Sequence, residues 1–205
     1  MIGMEIRSTN KLVHGVGIND ATYNVYLYEQ TDGRQIIVWR CPYYARWCHM
    51  LQRCYSDNWH ERHPTYIGCS VCEEWLIFSN FKRWMEQQDW EGNQLDKDLL
   101  VEGNKEYNPD NCVFVTRMVN SFLTDRDNAR GEYLIGVHFN KSTNKFQAQC
   151  RNPFTGKKEY LGRFDDPIQA HLVWKKRKHE LACQLADSEH VTDERVAQAL
   201  RTRYL

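Results

Sequence analysis

Between Thr22 and Trp39 the apolar residues fall in two runs, Tyr26-Leu27-Tyr28 and Ile36-Ile37-Val38-Trp39, on either side of Asp32-Gly33. An Asp-Gly pair between two such runs is turn chemistry, so this stretch predicts a small hairpin within an amino-terminal extension, 1–42. From Cys41 to Cys54 the pattern changes. Tyr44, Trp47, Met50 and Leu51 are three or four residues apart, which sets them on one helical face. Ser56 to Gly68 is polar, with His and aromatic residues but no period, and reads as a loop. Trp75, Phe78, Phe81, Trp84 and Met85 then predict a second helix, opened by the acids Glu73 and Glu74. Leu95 to Leu100, the turn residues Gly103-Asn104-Lys105 and Tyr107 to Asn111, and the run Cys112 to Val115 predict strand, long turn and strand, followed by a helix over Thr116 to Leu123.

Thr124 to Gly131 is polar and charged and reads as a linker. Beyond it the period becomes two, in Leu134 to Asn140, Lys145 to Arg151 and Glu159 to Gly162. Asp165-Asp166-Pro167 opens a helix with Ala170, Trp174, Arg177 and Leu181 along one side. Val191 to Leu205 predicts one more short helix, in a carboxyl-terminal segment 188–205. The fold class expected is α+β.

Two hundred and five residues make one to two small domains. A hydrophobic content of 41% with seven Trp is enough for real cores, which excludes a disordered chain. Met1 to Lys11 lacks a signal-peptide core and no 18 consecutive apolar residues occur, so the expectation is a soluble, intracellular protein with no membrane partner. Lys+Arg and Asp+Glu balance at 27 each, so any electrostatic preference is regional. Residues 129–187 hold eleven Lys+Arg against six Asp+Glu, an excess of about five, and the rest of the chain carries the matching deficit. A basic strand-and-helix unit is where a phosphate backbone is met. The run Lys175-Lys176-Arg177-Lys178 taken alone is weaker evidence, because such runs are usually solvated.

Eight Cys without an export signal are read as thiols or metal ligands. Cys69 and Cys72 form a C-x2-C pair, and with Cys54 and Cys112 they make a candidate structural Zn2+ site. Cys41, Cys48, His49, His60 and His63 are alternative ligands, and the competing reading is that the thiols are small core side chains. Cys150 and Cys183 are expected in a core. No Gly-rich phosphate loop, Ser-His-Asp arrangement or dinucleotide fingerprint occurs.

The order Gly136-Val137, Lys145-Phe146-Gln147-Ala148, Tyr160-Leu161-Gly162-Arg163-Phe164-Asp165, Ala170 and Trp174 resembles the DNA-binding domain of plant ethylene-response factors and its phage relatives, over 130–187. The resemblance implies a three-stranded antiparallel sheet in the major groove of double-stranded DNA, with one helix on its back. It places His138, Asn140, Lys145, Gln147, Gln149, Arg151, Lys158 and Arg163 on the DNA side and Leu161 and Trp174 on the other. The strands hold fewer Arg and Trp than is usual in that family.

Residues 43–125 resemble phage HNH homing endonucleases, through Trp47, Met50, Arg53-Cys54, Val71-Cys72-Glu73-Glu74-Trp75, Phe78, Phe81, Asp96-Lys97-Asp98, Gly103-Asn104, Tyr107, Pro109, Asn111-Cys112 and Asn120. That resemblance implies a ββα-metal module that nicks or cuts DNA with Mg2+ or a similar ion, in the cytoplasm of a phage-infected host cell. Phosphodiester hydrolysis needs an activated water and a cation for the charge that develops. Mapped onto this chain, Asp96 is the acidic ligand, Asn111 the central Asn and Asn120 the last position, while Lys97 stands where the general base belongs. An ordinary Lys is protonated at neutral pH, so Asp98 or His63 would have to act as base. A DNA-binding regulator with a dead site, and a phage factor that binds a host protein, are the rival expectations.

Overall fold

The computed structural model describes residues 12–124 and 132–205. Met1 to Lys11, and the expected linker apart from Thr124, lie outside the described residues. The described chain is mixed α+β and divides into two units, Met1–Phe114 and Val115–Leu205.

In the first unit, strands β1 (Tyr26–Thr31) and β2 (Arg34–Arg40) pair antiparallel across Asp32 and Gly33, whose φ values of 50° and 74° belong to a primed hairpin turn. Helix α1 (Pro42–Tyr55) opens on a proline and buries Tyr44, Trp47, Met50, Leu51 and Cys54, the face its spacing predicts. The expected loop after it contains a short helix, α2 (Asp57–Arg62), and a 3-10 turn over Pro64–Tyr66. Neither buries a residue, so neither leaves an apolar period to read.

The second expected helix is two pieces, a 3-10 turn at Glu73–Leu76 and α3 (Phe78–Met85). Between them Ile77 is extended because Ile18 docks alongside: the Ile18 amide donates to the Leu76 carbonyl at 2.8 Å, and the Phe78 amide donates to Ile18 at 3.0 Å. The aromatic core still closes. Trp47 Nε1 donates to the Trp75 carbonyl at 2.7 Å, and the Phe78 ring lies 5.5 Å from Trp47. Two short pairings complete the unit: β3 (Ser70–Val71) parallel to β5 (Glu106–Tyr107), and β4 (Gln94–Asp96) with β6 (Val113–Val115). Strand β4 stops short of the expected Leu100 because Asp96 Oδ1 accepts the amides of Asp98 and Leu99 and turns the chain.

The second unit begins with α4 (Arg117–Leu123), capped by the Thr116 hydroxyl. The 43–125 module of the sequence reading is thereby divided. Three antiparallel strands follow, β7 (Val137–Asn140), β8 (Lys145–Arg151) and β9 (Lys158–Phe164), in the order β7-β8-β9. Helix α5 (Pro167–Ala186), capped by Asp166, lies on the sheet, and α6 (Glu194–Thr202) lies on α5. Ala148 and Cys150 face α5 and are buried, as are Ala170, Trp174 and Leu181. At Gly136, with φ of 82°, the backbone runs so close to the Trp174 indole that a Cβ would sit 2.1 Å from it. No described helix is long and apolar enough to cross a membrane.

Candidate functional site

The sheet of the second unit has two chemically different faces because β8 alternates without interruption. Phe146, Ala148 and Cys150 share the helix side, and Lys145, Gln147, Gln149 and Arg151 share the other. Register carries the pattern to both neighbours. His138 pairs with Gln147 and Asn140 with Lys145, while Arg163 pairs with Gln147, Tyr160 with Gln149 and Lys158 with Arg151. All eight residues expected on the DNA side thus lie on one face. Lys158 and Arg163 share it only because a bulge between Ala148 and Gln149 inserts Leu161 into β9 and shifts the alternation by one.

The face carries the cations Lys145, Arg151, Lys158 and Arg163, and the one strand carboxylate of β9, Glu159, is turned to the helix side. There Arg177 of α5 donates to both its oxygens, at 2.7 and 3.2 Å, and holds its carboxyl below the usual range. Lys145 is paired with Asp165 at the edge. In the middle, His138 Nε2 meets Gln147 Oε1 at 2.8 Å, which fixes the amide of a residue only 7% exposed. Asn140 is spent on its own turn, with its Oδ1 accepting from Ser142 and Thr143. Tyr160, 56% exposed on this face, is named in the sequence reading only as part of the motif and not on the DNA side, although its parity with Lys158 would have placed it there.

The basic run of α5 belongs elsewhere. Lys178 is buried and donates to the Phe122 carbonyl at 2.6 Å, with its ammonium 3.6 Å from the Phe122 ring centre. Arg177 serves Glu159 and Glu180, and Lys175 reaches the Leu205 carbonyl at 2.7 Å. Three of the four charges therefore hold the unit together, and Lys176 is the exposed one. Cys150 is buried as expected, but Cys183 is half-exposed, its sulfur 3.7 Å from His179 Nε2.

In the first unit the Asp96-Lys97-Asp98 end of β4 forms a polar cluster. Lys97 is 7% exposed; its ammonium donates to Asp98 Oδ2 at 3.0 Å and to the Asn104 carbonyl at 2.9 Å. Burial alone would lower its pKa, but the Asp98 bond and the charges of Asp98, Cys69 and Asp96 outweigh burial and raise it, so Lys97 stays a cation. Burial and the Asp98 charge push the Asp96 carboxyl up. The Asn104 amide donates to the Lys97 and Glu106 carbonyls, each at 2.6 Å, and its oxygen accepts from Asn111 Nδ2 at 3.5 Å. A second cation, Arg53, hydrogen-bonds the Tyr107 hydroxyl and feels Asp96. Neither Asn104 nor Arg53 appears in the sequence reading as a site residue, since each looks like turn or helix-surface chemistry. Asn120 lies on α4, in the second unit.

Cys54, Cys69 and Cys112 are buried and Cys72 is half-buried. Cys54 is electrostatically coupled to Cys69, and Cys112 to Cys72. Burial pushes the Cys54 and Cys112 thiols up to about 12, and Lys97 pulls both back only in part. Of the alternative ligands, His63 stacks on Trp59 with ring centres 4.3 Å apart, His60 Nε2 meets the Arg53 carbonyl, and Cys41 meets the Tyr23 hydroxyl. Among the described residues no group of three or more His, Cys, Asp or Glu side chains is placed to hold a metal ion. No family model, curated protein or solved structure matches the chain.

Proposed function

We propose that this protein binds double-stranded DNA through the outer face of β7-β8-β9 and does not itself cut it. The observation that carries the reading is the segregation of charge: Lys145, Arg151, Lys158 and Arg163 stand on one sheet face with Gln147, Gln149 and Tyr160, while Glu159 is turned away. Cations spaced along a twisted sheet meet phosphates on both sides of a major groove, and the Gln149 amide and the exposed Tyr160 hydroxyl between them reach base edges. The ethylene-response-factor resemblance points the same way. The cluster at Asp96 argues against hydrolysis by this chain, because Lys97 stands where the general base belongs, accepts no proton at neutral pH, and holds in an ion pair the Asp98 carboxylate that would have to replace it as base.

The test is duplex binding by the full chain, followed by fluorescence anisotropy across a salt series. Arg151, Lys158 and Arg163, with Lys145 a fourth if it exchanges Asp165 for a phosphate, give a slope of about −3 to −4 in log K against log salt. Arg151→Ala and Arg163→Ala each weaken binding and flatten the slope, whereas Lys176→Ala on the exposed side of α5 changes neither. A flat salt response, or equal effects at all three positions, overturns the reading in favour of a protein partner. Supercoiled plasmid incubated with the protein and Mg2+ or Mn2+ stays supercoiled. Nicking that disappears in Asp96→Ala would restore the nuclease reading.

A further inference from the structure

From Gly33 to Ser56 the chain holds four arginines and His49 but no Asp or Glu, although Met1–Phe114 as a whole carries 11 Lys+Arg against 16 Asp+Glu. Arg46, His49 and Arg53 stand three and four residues apart on α1, which sets them on one stripe beside the buried face of Trp47, Met50 and Cys54. Arg40, at the end of β2, is near enough for its charge to reach His49. Each guanidinium is held by a neutral group. Arg46 donates to the Asn93 carbonyl at 2.8 Å, and Arg40 lies 5.2 Å from the centre of the Tyr26 ring. Arg53 hydrogen-bonds the Tyr107 hydroxyl and lies 5.6 Å from the Tyr66 ring centre. Among the described residues none of the four forms an ion pair with a carboxylate, and Arg53 feels the Asp96 charge without such a contact. These cations are therefore oriented but not neutralised. Burial and then the Arg53 charge lower the Arg46 pKa, while burial and the charges of Arg53, Arg40 and Arg46 lower that of His49. Crowding like charges on one helix costs stability that a carboxylate on a neighbouring turn would have relieved.

We infer that this stripe is a second phosphate-binding surface, which takes the backbone of a nucleic acid. Arginines whose forks are fixed in advance lose little freedom on meeting a phosphate, and here they bring their charge undiminished. Cations about 5–6 Å apart along a helix suit a regular file of phosphates better than the scattered carboxylates of a protein surface. The identity of this polyanion rests on the DNA reading of the β7-β8-β9 sheet. Contacts to phosphate carry no sequence information, so the stripe adds affinity and salt dependence and leaves base preference to the sheet.

The test is fluorescence anisotropy of the full chain on a mixed-sequence duplex across a salt series. Arg40→Gln with Arg46→Gln should weaken binding at least about fivefold and flatten log K against log salt by about 2, whereas Arg40→Lys with Arg46→Lys keeps the original slope. Binding that remains when Arg151, Lys158 and Arg163 are all replaced by Ala should vanish once the glutamine pair is added. A glutamine pair that binds like the unaltered chain, while the sheet variants lose binding, overturns this inference and leaves the sheet reading standing. A lysine pair that falls as far as the glutamine pair overturns it too, since the loss is then one of packing. The opposite pattern, with sheet variants unaffected and the glutamine pair inactive, supports the stripe and removes the sheet, and a chain that binds no duplex overturns both.

Discussion

Two buried lysines do opposite work from what their positions in the sequence advertise. Lys97 stands where a proton acceptor was expected, yet its ammonium ties β4 to the Asn104 turn. Replacing it by Met leaves Asp98 and the Asn104 carbonyl without their donor, and the first unit should lose about 1–3 kcal/mol in urea denaturation, tempered because the Asp98 side chain is half-exposed. Lys178 stands in a run that looks like a DNA-binding stripe, yet it satisfies the end of α4 at the Phe122 carbonyl. Lys178→Met should cost the second unit about 1–3 kcal/mol by the same measurement, while Lys176→Met costs none. Neither role was legible, since one symbol stands for a solvated and a buried lysine alike. Only the three-dimensional position of a carbonyl 56 residues away distinguishes them.

Elements were legible where a period had length to express itself. The spacing of Tyr44, Trp47, Met50 and Leu51 located α1, and the alternation from Lys145 to Arg151 located β8 at its observed bounds. It failed where a period was interrupted from outside, as at Ile77, or where an element buries nothing, as in α2. The outer-face residues of β9 lie on both sides of a bulge whose parity change no single strand reveals, so that alternation from Lys158 finds Tyr160 but not Arg163. One glycine links these elements: Gly136→Ala adds both strain at positive φ and a methyl in the space of the Trp174 ring. It should destabilise the second unit by more than about 2 kcal/mol and abolish duplex binding without touching a contact residue.

At the scale of the whole molecule, acid should act unequally on the two units. Glu159 and Asp193, in the second, have lowered carboxyl pKa values, each through a bond to an arginine. A lowered folded value means that the unfolded chain binds protons first. The stabilisation is therefore complete above the ordinary carboxylate value, near 4.5 for Glu159, and is lost as pH falls from there through the folded value. Asp96, in the first unit, is raised and has the opposite sign: its contribution is present below 3.8 and lost as pH climbs through its folded value. Far-ultraviolet melts from pH 7 down to pH 3 should show the second unit losing more stability, and Glu159→Gln should shallow its acid limb.

The ammonium of Lys97 is tethered to the backbone by its own side chain, and so cannot be washed out. Its bond to the Asn104 carbonyl lies out of the solvent's reach, so added salt should loosen this tie far less than it loosens the exposed pairs of Arg201 with Asp187 and Glu194.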